Sequence, residues 1–205
     1  MTHPTAADKR LVRAQRREER RRIAAARDLD ADGPRLAAHV LDLLDRLGIG
    51  AGATVTAYES TPIEPPTADL VAMLAARDVR VLVPITLPDL DLDWCDAGDP
   101  DRTTLGLDAV LAADVVLAPG LSVDGGGTRL GQGGGCYDRV LARLAAAGRG
   151  DVPVVTLLHP GELLADPLPL EPHDRAVDAV VTADGCTALP VSTPPWTADP
   201  PGTPA

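Results

Sequence analysis

The feature that most restricts the fold of this chain is a glycine-rich segment between an apolar stretch and a helix-forming stretch. Residues 129–139 read Arg-Leu-Gly-Gln-Gly-Gly-Gly-Cys-Tyr-Asp-Arg and include four glycines and two arginines. A predicted strand at 114–118, apolar after its first residue, precedes this glycine loop, and the helix-forming residues 138–147 follow it. A strand, a glycine loop and a helix in this order direct backbone N–H groups and the positive end of the helix toward an anion. The segment therefore predicts a site for phosphate oxygens.

The loop matches neither of the two common nucleotide fingerprints, G-x-x-x-x-G-K-[ST] and G-x-G-x-x-G. Its arginines, Arg129 and Arg139, can pair with phosphate oxygens through their planar guanidinium groups. Asp138, at the start of the predicted helix, can hold Mg²⁺ beside a phosphate. The alternative is purely structural, with Asp138 capping the helix and the glycines forming a tight turn.

Apolar stretches alternate with helical patterns along most of the chain. Such alternation predicts a single α/β domain, with a mostly parallel sheet of about five or six strands flanked by helices. The expected domain is 8–189, and the Pro-rich tail 190–205 is expected to be disordered. Residues 86–106 are expected to be irregular or a weak hairpin. The predicted strands are 53–58, 79–84, 114–118, 152–158 and 176–182, and the predicted helices are 8–30, 33–47, 67–77 and 138–147.

Composition and charge restrict the class of protein. The net charge of −11 disfavours non-specific binding to nucleic acid, although positive charge is concentrated in residues 9–27. That segment is either a solvated helix face or, as a less favoured alternative, a nucleic-acid arm. The three cysteines are widely separated, so no zinc site or disulfide framework is predicted. With no signal peptide or membrane-spanning stretch recognisable, a cytoplasmic protein is expected.

Several motifs, taken together, are similar to those of the 5-formyltetrahydrofolate cyclo-ligase family, also called methenyltetrahydrofolate synthetases. The pattern Arg-Leu-Gly-x-Gly-Gly-Gly-x-Tyr-Asp-Arg resembles the family signature. Shorter elements resemble the family in the same order, so that the resemblance spans residues 9–182. These are Lys9-Arg-Leu-Val-Arg13, Pro119-Gly-Leu-Ser-Val-Asp124, Leu168-Pro-Leu-Glu-Pro-His-Asp174 and Val177-Asp-Ala-Val-Val-Thr182.

The resemblance implies an ATP-dependent ring closure. In the family, the γ-phosphate of ATP activates the formyl oxygen of 5-formyltetrahydrofolate, N10 attacks the activated carbon, and phosphate leaves to give 5,10-methenyltetrahydrofolate and ADP. Arg129 and Asp138 are the implied catalytic residues, with Mg²⁺ on Asp138 and on a second candidate, Asp178. The residues implied in ATP binding are Lys9, Arg10, Leu11, Val12, Arg13, Arg129, Leu130, Gly131, Gln132, Gly133, Gly134, Gly135, Cys136 and Tyr137.

The resemblance also implies a folate site, made by the loop after the first strand and by Gln132, Gly133, Gly134, Gly135 and Cys136. Ser60, Glu64 and Thr67 fit the family pattern there, with Glu64 accepting hydrogen bonds from the pterin edge. Glu59 occupies the place of another substrate contact. The structural alternative is a solvated Glu64 followed by a helix cap at Thr67.

The chain departs from the family pattern at Pro66, where an acidic residue is usual, and at Cys136, where an aromatic residue is usual. The Gly-Ile-x-Glu-Pro element is reduced to Leu105-Gly-Leu-Asp108. These departures keep open a second interpretation, an ATP- or folate-binding protein of the same fold without turnover. The expected partners are ATP and a reduced folate, not nucleic acid or membrane, and the expected state is a monomer or weak homodimer.

Overall fold

The computed structural model describes residues 6–171 and 174–190. The helices are α1 (Ala6–Ala26), α2 (Leu29–Leu47), α3 (Ala68–Ala76) and α4 (Cys136–Ala146), with a 3-10 helix at Leu107–Ala112. The strands of the main sheet are β1 (Thr54–Thr56), β2 (Arg80–Thr86), β3 (Leu92–Asp96), β4 (Val115–Pro119), β7 (Val154–Leu157), β9 (Ala179–Thr182) and β10 (Gly185–Ala188). Three short strands, β5 (Ser122–Asp124), β6 (Arg129–Leu130) and β8 (Leu163–Leu164), form a separate small sheet in the order β6-β5-β8.

The main sheet has the strand order β10-β9-β7-β4-β1-β2-β3. Its five central strands run parallel, and the edge strands β3 and β10 are antiparallel to their neighbours. From β1 the chain passes through α3 to β2 on one side, and from β4 it passes through α4 to β7 on the other side. The direction of winding therefore reverses between β1 and β4, which are neighbours. In open parallel sheets such a reversal leaves a crevice at the carboxyl ends of the two strands.

Alternating side chains of the parallel strands pack against helices on both faces of the sheet. In β4, for example, Val115 and Leu117 face α2 and α3, while Val116 and Ala118 face α4. Both sets are fully buried. Two-sided burial explains why these strands read as continuous apolar runs in the sequence. In a chain without phenylalanine, the core is therefore filled mainly by aliphatic side chains.

Helix α1 is held mainly by its polar side chains rather than by an apolar face. Val12 packs on the small cluster of Leu121, Leu130 and Leu168, whereas Leu11 is 62% exposed. The first predicted helix, 8–30, extends too far, because α1 ends at Ala26. Asp28 instead accepts a hydrogen bond from Ala31 N at 3.1 Å and caps α2, a separate helix that begins at Leu29.

The predicted fold class is confirmed: a single α/β domain with a mostly parallel sheet and helices on both faces. The sheet has seven strands rather than five or six, because two short antiparallel strands extend its edges. One of them, β3, lies in the segment 86–106 and forms a hairpin with β2, so the partner strand comes mainly from before that segment rather than from within it. The tail predicted to be disordered is 190–205, and its residues 191–205 lie outside the described residues.

Within residues 6–171 and 174–190, none of the helices combines the length and the apolar character that crossing a bilayer requires.

The aliphatic core makes a direct stability prediction. Leu44 on α2 is 1% exposed and belongs to the cluster under the sheet. Leu44→Ala removes buried methyl groups and leaves a cavity, so it should lower the free energy of unfolding by about 2–5 kcal/mol. The control Leu105→Ala, at a site that is 40% exposed, should change it by less than about 0.5 kcal/mol. Urea denaturation followed by circular dichroism measures both, and equal losses for the two variants would contradict this assignment of the core.

Candidate active site at the carboxyl edge of the sheet

A cavity of about 250 Å³ lies where β1 and β4 end. The loop after β1 contributes one wall, and the glycine loop after β4 contributes the opposite wall. The first turns of α1, the segment around Glu171 and Asp174, and residues of β2 and β3 complete the lining. The cavity thus occupies the crevice that the topology of the sheet predicts.

The glycine loop places an open helix end on this cavity. Gly135 is the residue before α4, with a φ of 72°, and no side chain caps the helix. Gly133 has a φ of 105°, a conformation that strongly favours glycine, so the turn into α4 depends on it. The first turn of α4 lines the cavity with the loop. Uncapped N–H groups and the positive end of a helix dipole create a favourable place for an anion.

Arg129 joins the loop to the helix. Its Nη2 donates to Asp138 Oδ1 at 2.7 Å and its Nη1 donates to Pro119 O at 3.1 Å. The guanidinium carbon lies 5.7 Å from the centre of the Tyr137 ring, and the Arg129 side chain is only 6% exposed. The Asp138 side chain is 40% exposed, so it keeps access to solvent and to a ligand. The arrangement puts a fixed positive group and an accessible carboxylate side by side.

Four cationic side chains of α1 follow one face of the helix. Lys9, Arg13, Arg17 and Arg20 are spaced by three or four residues, which aligns them along the helix axis. Arg13 Nε donates to Gly131 O at 3.2 Å, and Arg17 donates to Gln132 O at 2.5 Å and to Gln132 Oε1 at 3.1 Å. The middle of this face therefore lies against the glycine loop, while Lys9 pairs with Glu171 and Asp174.

Arg20 anchors the other half of α1 in the interior. It is 1% exposed and forms two hydrogen bonds of 2.7 Å with the two carboxylate oxygens of Glu162. It also donates to the carbonyl of Gly120, directly after β4. Glu162 in turn accepts from the backbone N–H of His159 at 2.8 Å. A buried bidentate pair of this kind fixes both the position and the rotation of the helix.

The loop after β1 is closed by its own side chains. Thr67 Oγ1 donates to Tyr58 O at 2.6 Å and accepts from Ser60 N at 3.2 Å, while Ser60 Oγ accepts from Thr67 N at 3.3 Å. Thr67 occupies the position before α3, but its side chain makes no capping bond to the helix, so the structural alternative of a side-chain cap at Thr67 is not supported. These contacts hold Glu64 at the cavity.

Glu64 is half-buried and has one oxygen engaged within the loop. Its Oε2 accepts from Thr61 N at 2.9 Å and from Thr61 Oγ1 at 3.0 Å. No hydrogen bond to Oε1 occurs among the described residues, which leaves an acceptor for a ligand. Glu59 also lines the cavity, but it pairs with Arg102 at 2.9 Å and is 65% exposed. Glu64 is thus the better-placed carboxylate of the two.

Two phenols lie in the cavity wall beside Glu64. Tyr58 and Tyr137 are 5% and 8% exposed, and neither hydroxyl has a hydrogen-bond partner in the described structure. Burial, reinforced by the negative charge of Glu64, raises the pKa of both phenols well above the usual value of 10. Both hydroxyls therefore stay protonated at neutral pH and can act as donors.

The structure brings most of the predicted site residues together. In addition to Glu59, Glu64 and Asp138, the cavity is lined by Lys9, Arg13, Arg129, Leu130, Gly131, Gln132, Gly133, Gly134, Gly135, Cys136 and Tyr137. Arg10, Leu11 and Val12 do not line it, because Arg10 and Leu11 are exposed and Val12 packs on the small apolar cluster. Asp178 does not line it either. It lies just before β9, and its carboxylate accepts from Val154 N at 2.8 Å.

The family to which the chain belongs follows from its sequence as a whole. The model of the 5-formyltetrahydrofolate cyclo-ligase family matches residues 5–183. The chain belongs to this family.

Individual members support the assignment. A 5-formyltetrahydrofolate cyclo-ligase of Mycolicibacterium smegmatis is 36% identical over 149 residues, which are 64% of this chain and 74% of that protein. One from Saccharomyces cerevisiae is 41% identical over 73 residues, 35% of each chain. The solved structure of a 5,10-methenyltetrahydrofolate synthetase from Mycoplasma pneumoniae matches with a TM-score of 0.68 at 20% identity, and covers 86% of this chain and 99% of that one. The last similarity shows a shared fold.

The residues of this cyclo-ligase family member fit a metal ion that arrives with a phosphate group. No three His, Cys, Asp or Glu side chains come together as a metal site within the described part of the chain. Asp138 offers an accessible carboxylate beside the anion site. Mg²⁺ commonly takes one or two protein carboxylates and completes its shell with phosphate oxygens and water, so this donor set suits a Mg²⁺–nucleotide complex.

Arg17 and Arg20 make contacts next to the site that the sequence motifs missed. The sequence interpretation treated the arginines of α1 largely as a solvated face. The signal that could have found them is the spacing Lys9, Arg13, Arg17, Arg20, which continues the cationic pattern of the predicted nucleotide contacts along one side of a helix.

Breaking the buried Arg20–Glu162 pair should strongly destabilise the protein. Arg20→Met leaves Glu162 charged, buried and without its main partner, so the free energy of unfolding should fall by about 3–5 kcal/mol. Arg21→Met, at a site whose side chain is 58% exposed, is the matched control and should have an effect below about 1 kcal/mol. Denaturant titration at pH 7 gives both values, and an effect of Arg20→Met as small as that of the control would refute the anchoring role.

Proposed function

We propose that this protein catalyses the ATP-dependent cyclisation of 5-formyltetrahydrofolate to 5,10-methenyltetrahydrofolate, with release of ADP and phosphate. The proposal rests on one observation. The same cavity contains an anion-binding loop and the carboxylate of Glu64, which has one oxygen engaged by Thr61 and the other available. The glycine loop and the open end of α4 form one wall, and Glu64 lies on the opposite wall. Membership of the cyclo-ligase family indicates which reaction a cavity with these two walls would catalyse.

On the nucleotide side, the backbone N–H groups of the glycine loop and of the first turn of α4 would bind the triphosphate. Lys9 and Arg13 from α1 would add positive charge above the loop. Arg129 would stabilise charge on the transferred phosphoryl group, since its guanidinium is already fixed by Asp138 and Pro119 O. Phosphoryl transfer depends on charge stabilisation and in-line positioning more than on a protein nucleophile, and these residues supply both.

Asp138 is the residue that would hold Mg²⁺, together with phosphate oxygens and water. When bound, the ion neutralises phosphate charge and orients the γ-phosphate. The accessible side of the Asp138 carboxylate remains available for this while Oδ1 holds Arg129. Asp178 was predicted as a second ligand, but its bond to Val154 N and its position outside the cavity give it a structural role at the start of β9.

On the folate side, Glu64 would accept hydrogen bonds from the 2-amino and ring N–H groups of the pterin through its unengaged oxygen. This contact would orient the formyl group toward the glycine loop. The formyl oxygen would then attack the γ-phosphorus and release ADP, and N10 would attack the activated carbon and expel phosphate. The protein contributes mainly proximity and orientation in both steps.

A binding protein without turnover is the second candidate, and Cys136 is the observation that favours it. This residue lines the cavity at the first position of α4, where the family pattern has an aromatic residue. A thiol offers less surface than an aromatic ring for packing against a pterin. Turnover therefore decides between the two candidates.

Three finer points belong to the proposal as well. The protein is expected to act in the cytoplasm, as a monomer or weak homodimer, with ATP and a reduced folate as its ligands. The catalytic domain is expected to comprise residues 8–189, with the Pro-rich tail 190–205 outside it.

Replacement of Asp138 tests the function directly. With 5-formyltetrahydrofolate and Mg-ATP, the purified protein should produce the absorbance of methenyltetrahydrofolate, and omission of ATP or Mg²⁺ should abolish it. Asp138→Asn removes the charge that holds the ion and should lower kcat by about 100-fold or more. Asp42→Asn, on the exposed face of α2, is the matched control and should retain full activity. Nucleotide binding by the wild type without any product would favour the second candidate.

Replacement of Glu64 separates the two halves of the site. Glu64→Gln weakens a charged hydrogen bond to the pterin, so KM for 5-formyltetrahydrofolate should rise by about 10–100-fold. KM for ATP should change by less than about 3-fold, because Glu64 lies on the opposite wall. Steady-state kinetics with each substrate varied in turn measures the two constants. An unchanged folate KM would show that the carboxylate does not bind the pterin.

A further inference from the structure

His159 is a buried histidine at the carboxyl end of β7 that the proposed mechanism does not use. It is 1% exposed and lies two residues after the end of β7. Its ring nitrogen Nε2 is 3.1 Å from Ile63 O, in the loop after β1. In the sheet, β4 lies between β7 and β1, so this contact reaches across the end of β4. The side chain thus joins the cavity wall that carries Glu64 to a different strand of the sheet.

The contact with Ile63 defines where the imidazole of His159 carries its proton. A carbonyl oxygen can only accept, so Nε2 bears the hydrogen and donates it. Burial lowers the pKa of His159 below its usual value. The negative charges of Glu162 and Asp32 act against this shift without reversing it. The ring is therefore neutral at pH 7 and is a donor with a fixed direction.

The backbone of His159 is fixed by the buried ion pair of α1. Its N–H donates to Glu162 Oε2 at 2.8 Å, and its carbonyl accepts from Glu162 N at 3.1 Å. The same carboxylate is bound by Arg20. Pro160 follows directly, and a proline restricts the residue before it to extended conformations. The ring is thus attached to a buried and well-supported turn, which is what a positioning side chain requires.

The turn that His159 contacts is the one that carries Glu64. Glu64 N donates to Thr61 O at 3.0 Å, and Glu64 Oε2 accepts from Thr61 N at 2.9 Å. These bonds fix the shape of the turn but not its place, because both partners belong to it. Among the residues that the structure describes, the bond to Ile63 O is the only hydrogen bond that joins residues 61–64 to another part of the protein. The position of Glu64 relative to the sheet therefore depends on His159 as well as on the two ends of the loop.

We infer that His159 is a positioning residue for the folate substrate, which holds the Thr61–Glu64 turn so that the Glu64 carboxylate is in place at the cavity before the ligand arrives. The inference rests on the proposed function only in taking Glu64 as the acceptor for the pterin edge. His159 does not line the cavity, so it acts through the turn and not through a contact with the substrate. A carboxylate that is already in place binds more tightly, because less conformational freedom is lost on binding.

A buried histidine can also serve only to fill space, and the two roles lead to different expectations. If only its volume matters, leucine and glutamine should replace it equally well, since both are similar in size to the imidazole. If the hydrogen bond matters, glutamine should restore what leucine loses, because its amide can place an N–H donor near the position of Nε2. The pair of variants therefore isolates the donor.

Hydrogen exchange measures the turn without substrate. In His159→Leu, the amides of the peptide that covers residues 59–67 should exchange about 3–10-fold faster than in the wild type, because a hydrogen bond that holds the turn is lost. In His159→Gln they should stay within about 2-fold of the wild type. His39→Leu, at a half-buried histidine of α2 that does not line the cavity, is the matched control and should leave this peptide unchanged. Unchanged exchange in His159→Leu, or equal acceleration in the peptide that covers β4, overturns the inference.

Steady-state kinetics tests the consequence for the substrate. His159→Leu should raise KM for 5-formyltetrahydrofolate about 3–10-fold and leave kcat and KM for ATP within about 2-fold of the wild type. His159→Gln should return KM for the folate to within about 2-fold of the wild type. An equal rise of KM for ATP in His159→Leu overturns the inference, because it would show a general disturbance of the site.

A double substitution asks whether His159 acts through Glu64. In a Glu64→Gln background, His159→Leu should change KM for the folate by less than about 2-fold, since its effect depends on the placement of the carboxylate. A further rise of about 3–10-fold in that background overturns the inference, because the two effects would then be independent.

Hydrogen exchange also separates this inference from the proposed function. A wild type that forms no product contradicts the proposed function alone, because the exchange of residues 59–67 still reports whether His159 holds the turn. Thermal denaturation checks folding of each variant. If His159→Leu does not fold, His159→Met takes its place, and it is compared with His159→Gln by the same criteria.

Discussion

The buried pair between Arg20 and Glu162 is the interaction on which the geometry of the site depends. It joins α1 to the turn before β8, and through the carbonyl of Gly120 it joins both to the end of β4. A bidentate ion pair out of contact with water fixes direction as well as distance. With Arg20 held there, helical geometry places Arg17 and Arg13 against the glycine loop and Lys9 at the cavity.

The rest of the cavity is built from the reversal of winding between β1 and β4. The loop after β1 is closed on itself by Ser60 and Thr67, so Glu64 stays beside the cavity. The loop after β4 ends in the uncapped start of α4. One wall therefore presents donors and positive charge, and the other presents an acceptor. A phosphate-bearing ligand and a ligand with an N–H edge can meet between these walls.

Much of the fold could be predicted because its signals are local. Mainly apolar runs such as residues 115–118 and 154–158 are buried on both sides, and the sequence shows them as parallel strands. The boundary between α1 and α2 differs from the prediction, because the sequence also allows Asp28 as a polar residue within the first predicted helix, 8–30. For Thr67, the sequence could not tell a capping bond from the bond to Tyr58 O, nine residues earlier. Contacts of this kind depend on how a loop folds back.

The sequence by itself determined the order of strands and helices, the anion-binding character of the glycine loop and the family resemblance, because each lies within a short run of residues. Only the tertiary structure decided which charged residues work together. It turned Lys9 toward Glu171 and Asp174, buried Arg20 on Glu162, and left Asp178 at a strand end away from the cavity. These pairings join residues more than a hundred positions apart in the first two cases. Contacts between residues so far apart in the sequence are set by packing across the sheet, and no local sequence pattern encodes that packing.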